Sequence, residues 1–274
     1  MKKLFPIILL VLTVASCKKA EELKYSIPDN IVFDFSSDDK DSIIYTFAYT
    51  PDLALDTIMI PVRISGVQTS TDRTFIIKAM PDSSTALPGK HYEAFKDSYV
   101  MPANKGRISI PLVIYNTDSA LQNRSVKLKF KLYANDNFGT ALTKEVNGTL
   151  IFSATLEKEY WWTYYLGDYY SRTKHLLFLI ATNGVRELTV PQPNEAFFDI
   201  PKNLYIISLL TSFMADPAAW VKNNPGRDYV LEKIKDSDNY YFYSTNNPAK
   251  KILYKKDDGA STYHFIDEFG QRIN

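Results

Sequence analysis

Val126-Lys127-Leu128-Lys129-Phe130-Lys131-Leu132 alternates an apolar side chain with a lysine at every step. Only a strand half-buried on a core gives that pattern, because successive side chains point to opposite faces. The lysines would also discourage edge-to-edge pairing if this strand lies at an edge. The same alternation sets Ile58, Ile60, Val62 and Ile64 against Met59, Pro61 and Arg63, and recurs in Ile108, Ile110, Leu112 and Ile114. Pro61 and Pro111 each remove a ladder donor, so those two strands are expected at edges or bulged there. Weaker strands read at 31–35, 43–49, 73–79 and 149–156. Short strands punctuated by Gly, Pro, Asn and Asp predict an antiparallel β-sandwich over residues 30–157.

After Leu156 the pattern changes. Tyr160, Trp161, Trp162, Tyr164, Tyr165, Tyr169 and Tyr170 crowd together, with a turn at Gly167-Asp168. Ser171 can cap a helix over 172–182 that stops at Asn183-Gly184, although a buried strand over 176–180 fits the same apolar run. Another helix reads at 204–214, and Asp216-Pro217 supplies a capping acid and a first-turn proline for 218–222. Asp228 is read as the cap of a third short helix over 229–235. Strand-like runs return at 240–243, 251–254 and 263–266. The chain thus reads as mainly β: an immunoglobulin-like antiparallel β-sandwich followed by a mixed α/β C-terminal half, residues 158–274.

The N-terminus reads as an export signal. Lys2 and Lys3 precede the apolar run 4–14, too short to span a bilayer comfortably, and Ala15-Ser16 lead into Cys17, the single cysteine of the chain. Val14-Ala15-Ser16-Cys17 resembles the lipobox of bacterial lipoproteins. That resemblance implies cleavage after residue 16, acylation of Cys17 and attachment to a membrane, with residues 17–29 as a tether. Two or more acyl chains hold stably where one holds marginally. Acylation would leave no thiol for disulfides, thiolate catalysis or Cys-ligated metals. Lys18-Lys19-Ala20-Glu21-Glu22 resembles the export signal that sends lipoproteins of Bacteroidota-type bacteria to the outer face of the outer membrane. Net charge is +1, and loss of Lys2 and Lys3 leaves −1. Without basic runs there is no electrostatic case for nucleic acid.

Ala86-Leu87-Pro88-Gly89-Lys90-His91-Tyr92, followed by Tyr99-Val100-Met101-Pro102-Ala103 and Gly106-Arg107-Ile108-Ser109-Ile110, resembles the A-x-x-G-x-x-Y … F-x-x-G … I-x-I signature of Calx-β-type, immunoglobulin-like modules. Pro88-Gly89 then supplies a sharp turn and Tyr92 packs at the sheet end. Calx-β modules that bind calcium use acidic clusters. The nearest equivalent, Asp38-Asp39-Lys40-Asp41, carries a lysine in its middle and reads as a solvated turn. Taken with the lipobox, Trp162–Leu166, Tyr170-Ser171-x-x-Lys174 and Asp267-Glu268-Phe269-Gly270, the chain resembles the bacterial lipoproteins grouped as domain of unknown function 4843. That resemblance implies a setting beside TonB-dependent importers and their surface lipoproteins, which take up glycans or peptides. It implies no catalytic activity.

Local chemistry is sparse. His91, His175 and His264 have no partners at metal-ligand spacing and read as surface or satisfied histidines, so neither metal nor cofactor is expected. No G-x-S-x-G elbow appears. Sugars and peptides can stack on exposed aromatic rings, which makes Trp161, Trp162, Tyr164, Tyr165 and, less so, Trp220 the ligand-binding candidates. The competing and favoured reading buries the two adjacent indoles as glue between the halves. Asp41-Ser42-Ile43, Asp56-Thr57-Ile58 and Asp118-Ser119-Ala120 resemble the Asp-Ser/Thr-aliphatic sites at which these bacteria attach O-glycans, which would modify Ser42, Thr57 or Ser119. The expected role is a surface-anchored, non-catalytic accessory lipoprotein of a nutrient importer. The alternative is a scaffold that docks to the importer without binding nutrient, and the third is a hydrolase whose carboxylates only folding would assemble.

Overall fold

A strand forms wherever one row of aliphatic side chains can be buried while the opposite row stays in water. The computed structural model describes residues 29–35, 42–190 and 200–274. In the first half these rows produce β1 (Asn30–Phe33), β2 (Ser42–Thr46), β3 (Leu55–Ser65), β4 (Arg73–Ala79), β5 (Tyr99–Met101), β6 (Arg107–Tyr115), β7 (Val126–Tyr133) and β8 (Asn147–Ser153). They build two sheets, ordered β1-β3-β6 and β2-β8-β7-β4-β5. Ile60, Val62, Leu112 and Ile114 of the first sheet share one core with Phe75, Ile77, Leu128 and Phe130 of the second. The result is an immunoglobulin-like sandwich.

The sheet order departs from the sequence reading in three places. β3, which carries Pro61, is a central strand. Pro61 is tolerated because it lies one step past the Phe33↔Val62 pair that ends β1, and its carbonyl accepts the Asp34 N–H at 3.0 Å. Pro111 does lie on an edge strand. Val113 and Tyr115 bond outward to Glu93 and His91, so the absent donor of Pro111 faces the same open side. The lysine strand β7 is also central, between β8 and β4, so its lysines guard no edge. Finally, β2 pairs with β8 in parallel from Ser42↔Thr149 to Thr46↔Ser153. The chain crosses between sheets before β2 instead of turning back in a hairpin.

The second half contains α1 (Trp162–Leu166), α2 (Arg172–Ala181), α3 (Ile200–Ala215), α4 (Pro217–Asn223), β9 (Tyr229–Lys233), β10 (Tyr240–Ser244), β11 (Ile252–Lys256) and β12 (Tyr263–Phe265). Residues 172–181 are helical because both ends are fixed. Ser171 Oγ accepts the Lys174 N–H at 3.0 Å. At the other end the Gly184 and Asn183 N–H groups return to Leu179 and Ile180 carbonyls, with Asn183 at φ 58°. Asp216 caps α4 through the Ala219 N–H. The helix expected over 229–235 is instead β9. Asp228 adopts a left-handed conformation and its carbonyl accepts the Thr245 N–H at 2.7 Å, which starts the pairing of β9 with β10. Tyr229-Val230-Leu231 favours that extended form. The four strands run antiparallel in the order β12-β11-β10-β9, and Phe213 of α3 packs on Phe242 and Phe265. Among the described residues no single helix is long and apolar enough to cross a membrane.

Each half has its own core, and the two meet at a small cluster of Ala48, Leu156 and Leu179. Polar clasps reinforce that seam. Asn247 Nδ2 donates to the Pro51 and Leu53 carbonyls, and Lys250 Nζ donates to Asn116 Oδ1.

Candidate functional site

The aromatic run sorts itself by helical turn. The Trp162 N–H donates to Glu159 O and the Tyr164 N–H to Trp161 O, so the side chains fan round an axis instead of alternating as on a strand. Trp161 and Trp162 are both fully buried. Their indole N–H groups donate to the Arg186 and Tyr169 carbonyls at 2.9 and 3.2 Å. Neither ring has a face to offer a ligand. Neither joins the halves: both belong to the core of the second half, stacked about His175 and Phe178. Trp220 is half-buried, with Phe213 at 4.8 Å between centroids and the Arg227 guanidinium at 5.6 Å from its ring.

Tyrosines of the same run do reach the surface. Tyr160 and Tyr164 are 67% and 59% exposed. Tyr165 is half-buried beneath Tyr164, the rings meeting edge-on at 4.8 Å. Hydrogen bonds hold these rings in place: Tyr160 Oη donates to Leu188 O, and Tyr165 Oη to Thr189 O. Asn203 Nδ2 donates to Tyr165 Oη and Thr189 Oγ1, both at 2.8 Å, which brings up the first turns of α3. That helix adds exposed Ile200, Leu204 and Tyr205. The face is therefore part aromatic and part aliphatic, set on a rigid tryptophan floor. It can stack on sugar C–H faces or bury an apolar surface of a partner. Sequence reasoning pointed to the run Tyr160–Tyr170 but named Trp161 and Trp162 ahead of Tyr160 and passed over the exposed residues of α3.

The turn Asp267-Glu268-Phe269-Gly270 locks this half together. Glu268 accepts from the Arg172 N–H (2.7 Å), the Thr173 N–H (3.0 Å) and Thr173 Oγ1 (2.7 Å), so a side chain from the far end of the chain serves the first turn of α2. Its carboxyl is pulled below the usual glutamate range by those bonds, against burial, which is the largest single influence and raises it. Asp267 holds its own turn through the Phe269 and Gln271 N–H groups and accepts from Tyr169 Oη at 2.6 Å.

The histidines are structural. His91 Nδ1 accepts the Leu87 N–H and Nε2 meets Asp118 Oδ2, both at 2.9 Å. Lys90 and His91 together hold the Asp118 carboxyl well below the usual range. His264 Nδ1 lies 2.8 Å from Asp257, and His175 is sealed among aromatic rings. Among the described residues no three His, Cys, Asp or Glu side chains converge as metal ligands. Cys17 and Asp38-Asp39-Lys40-Asp41 lie outside the described residues. Ser42 opens β2 half-buried, Thr57 is exposed within β3, and Ser119 is exposed in the single turn Ser119–Gln122 capped by Asp118.

Two depressions flank these features. One of about 40 Å³ lies in the seam beside Phe47, Leu176, Lys250 and Glu268, too small for a sugar. Burial pushes Lys250 there down to about 8. The other, about 390 Å³, runs along the sandwich beside Ile77, Leu87, Pro88, Tyr92 and Phe95. Sequence reasoning took Pro88, Gly89 and Tyr92 only as markers of the fold.

A family model described as domain of unknown function DUF4843 matches residues 25–185. No curated protein matches the chain. Among solved structures, the CBD1 domain of Calx is 10% identical, with 46% of this chain and 97% of that one covered and a TM-score of 0.35. CBD12 of CALX1.2 is 11% identical with a TM-score of 0.34, and the match covers 45% of this chain and 44% of that one. A Bacteroides ovatus protein of unknown function is 13% identical over 87% of this chain and 71% of its own, with a TM-score of 0.37.

Proposed function

We propose, from the premise that this chain belongs to the family described as domain of unknown function DUF4843, that it is a lipid-anchored accessory protein of a TonB-dependent importer at the outer surface of the outer membrane. Anchoring rests on Lys2, Lys3, the apolar run after them and Cys17. The role is binding, not catalysis: the protein contributes a recognition face to a complex that takes up glycan or peptide. The observation that carries this reading is the exposure of Tyr160, Tyr164, Leu204 and Tyr205, with Tyr160 tied to Leu188 and the half-buried Tyr165 beside them tied to Thr189 and Asn203. Rigid aromatic anchors of this kind supply contact area at low conformational cost.

The test combines location with recognition. Wild-type protein should take up palmitate label and stay with outer membranes, whereas Cys17→Ala should do neither. Tyr164→Ala/Tyr205→Ala should keep the melting temperature and lose at least tenfold in cross-linked importer or in retention on the glycan that induces the gene. Equal capture by wild type and double variant would defeat the recognition face. Unlabelled wild-type protein would defeat the anchor.

A further inference from the structure

The lysine row of β7 calls for a reason other than edge protection, since β8 and β4 cover both of its sides. Lys127, Lys129 and Lys131 stand on its outward face, and Lys78 of β4 lies directly opposite Lys131. Like charges placed opposite each other across strands cost stability. No acid relieves them: the five strands of this sheet contain no Asp or Glu, and none of the four lysines meets a carboxylate among the described residues. Among the described residues Lys78 and Lys131 meet an aromatic ring, their Nζ atoms 5.7 and 5.8 Å from the Tyr133 ring centroid. Between and beside the lysines the same face carries Ile76, Ile151 and Ile44, the last 80% exposed.

We propose that this face of the five-stranded sheet seats the sandwich on an anionic lipid surface, with Lys78, Lys127, Lys129 and Lys131 meeting headgroup phosphates. A flat sheet that mixes lysine heads with aliphatic side chains and excludes carboxylates matches the chemistry of such an interface. Chain length agrees, and here the argument rests on the proposed anchor. The described residues begin at Asp29, whose carboxylate pairs with Arg73, the first residue of β4, at 2.7 Å. The residues between Cys17 and Asp29 reach at most about 40 Å when fully extended. An acylated Cys17 would therefore keep Asp29, and with it the start of β4, within about 40 Å of the bilayer, near enough for this sheet to reach the lipid.

Amine footprinting of the acylated protein tests the idea. It is reconstituted in vesicles of phosphatidylcholine alone or mixed with phosphatidylglycerol, and acetylation is read by mass spectrometry. Lys78, Lys127, Lys129 and Lys131 should be protected several-fold in the anionic vesicles only, and molar salt should abolish the protection. Lys233 and Lys255 of the second half should react equally in both. A second measurement uses the chain from residue 18, which retains every strand and helix described, in co-sedimentation with the same vesicles. Lys127→Gln/Lys129→Gln/Lys131→Gln should lower its partitioning about a hundredfold. Anionic binding by this unlipidated chain supports the lysine face even if palmitate labelling rules out the anchor. Equal acetylation in both vesicles overturns the proposal. Protection by polygalacturonate but not by phosphatidylglycerol also overturns it, and reassigns the face to an acidic glycan.

Discussion

His175 should make the fold acid-sensitive in a narrow, predictable window. Its ring is fully buried among Trp161, Trp162, Tyr170 and Phe178, with Nδ1 3.2 Å from Tyr170 Oη. Nε2 has no partner of hydrogen-bonding geometry, although the Glu157 backbone opposes the shift in part. Burial lowers its pKa from 6.5 to about 4. The unfolded chain therefore takes up this proton below pH 6.5, while the folded chain resists until about pH 4. Within that window the unfolded state binds more protons, so stability falls as pH is lowered; above it, His175 contributes no slope. The whole interval amounts to about 3 kcal/mol, a large part of the usual 5–15 kcal/mol of a folded domain. Urea unfolding followed by near-ultraviolet circular dichroism of the tryptophans, from pH 7.5 to 4, measures it. His175→Gln cannot take up the proton. It should be less stable than wild type at neutral pH by a packing cost, and that gap should shrink by about 3 kcal/mol on acidification. Carboxylates such as Asp118 and Glu268 titrate in both proteins and cancel in the difference. Parallel pH profiles would refute the reasoning, and would mean that the surrounding ring faces accommodate an imidazolium.

Three further substitutions probe the joints of the molecule. Glu268→Ala removes the acceptor for the first N–H groups of α2 and should cost about 2–3 kcal/mol in urea unfolding, with Glu268→Gln recovering part of it. Gly148→Ala drives a methyl into the ring of Phe130, the residue it faces across β8 and β7, and should cost about 1–3 kcal/mol in the same assay. Asn247→Ala removes the donor to Pro51 and Leu53. It should raise hydrogen exchange in residues 50–54 and 245–251 before either core opens, at a cost of about 1–3 kcal/mol.

Alternation made most of the strands legible, because period two is a local property that each segment carries by itself. Strand neighbours are not local. Pro61 looked like an edge residue, yet it is accommodated in a central strand because β1 ends one step before it. The run Tyr229-Val230-Leu231-Glu232-Lys233 reads as a helix behind Asp228, and its pairing with Tyr240–Ser244 makes it a strand instead. At 172–182 sequence left helix and strand open, and the caps at Ser171 and Asn183-Gly184 are the local features that agree with the helix observed.

The site was half legible, and the reason lies in periodicity. Reading the aromatic run as a strand gives Trp161 and Trp162 opposite faces and exposes one of them. Read at helical period, Tyr160 and Tyr164 share one face, four residues apart, while Trp161, Trp162 and Tyr165 turn inward, which is the observed division. The turn at Glu159 that selects helix over strand is a single backbone hydrogen bond, and no side chain announces it. The lysine row shows the converse. Its alternation was plain, but its meaning changed once β7 took the centre of the sheet. A charge row on an edge strand has a sufficient explanation in blocked pairing. The same row on a central strand keeps that face of the sheet in water, but at a cost where Lys78 and Lys131 lie opposite each other. An anionic surface outside the described residues is the partner proposed above for that row, and charge complementarity is what recommends it.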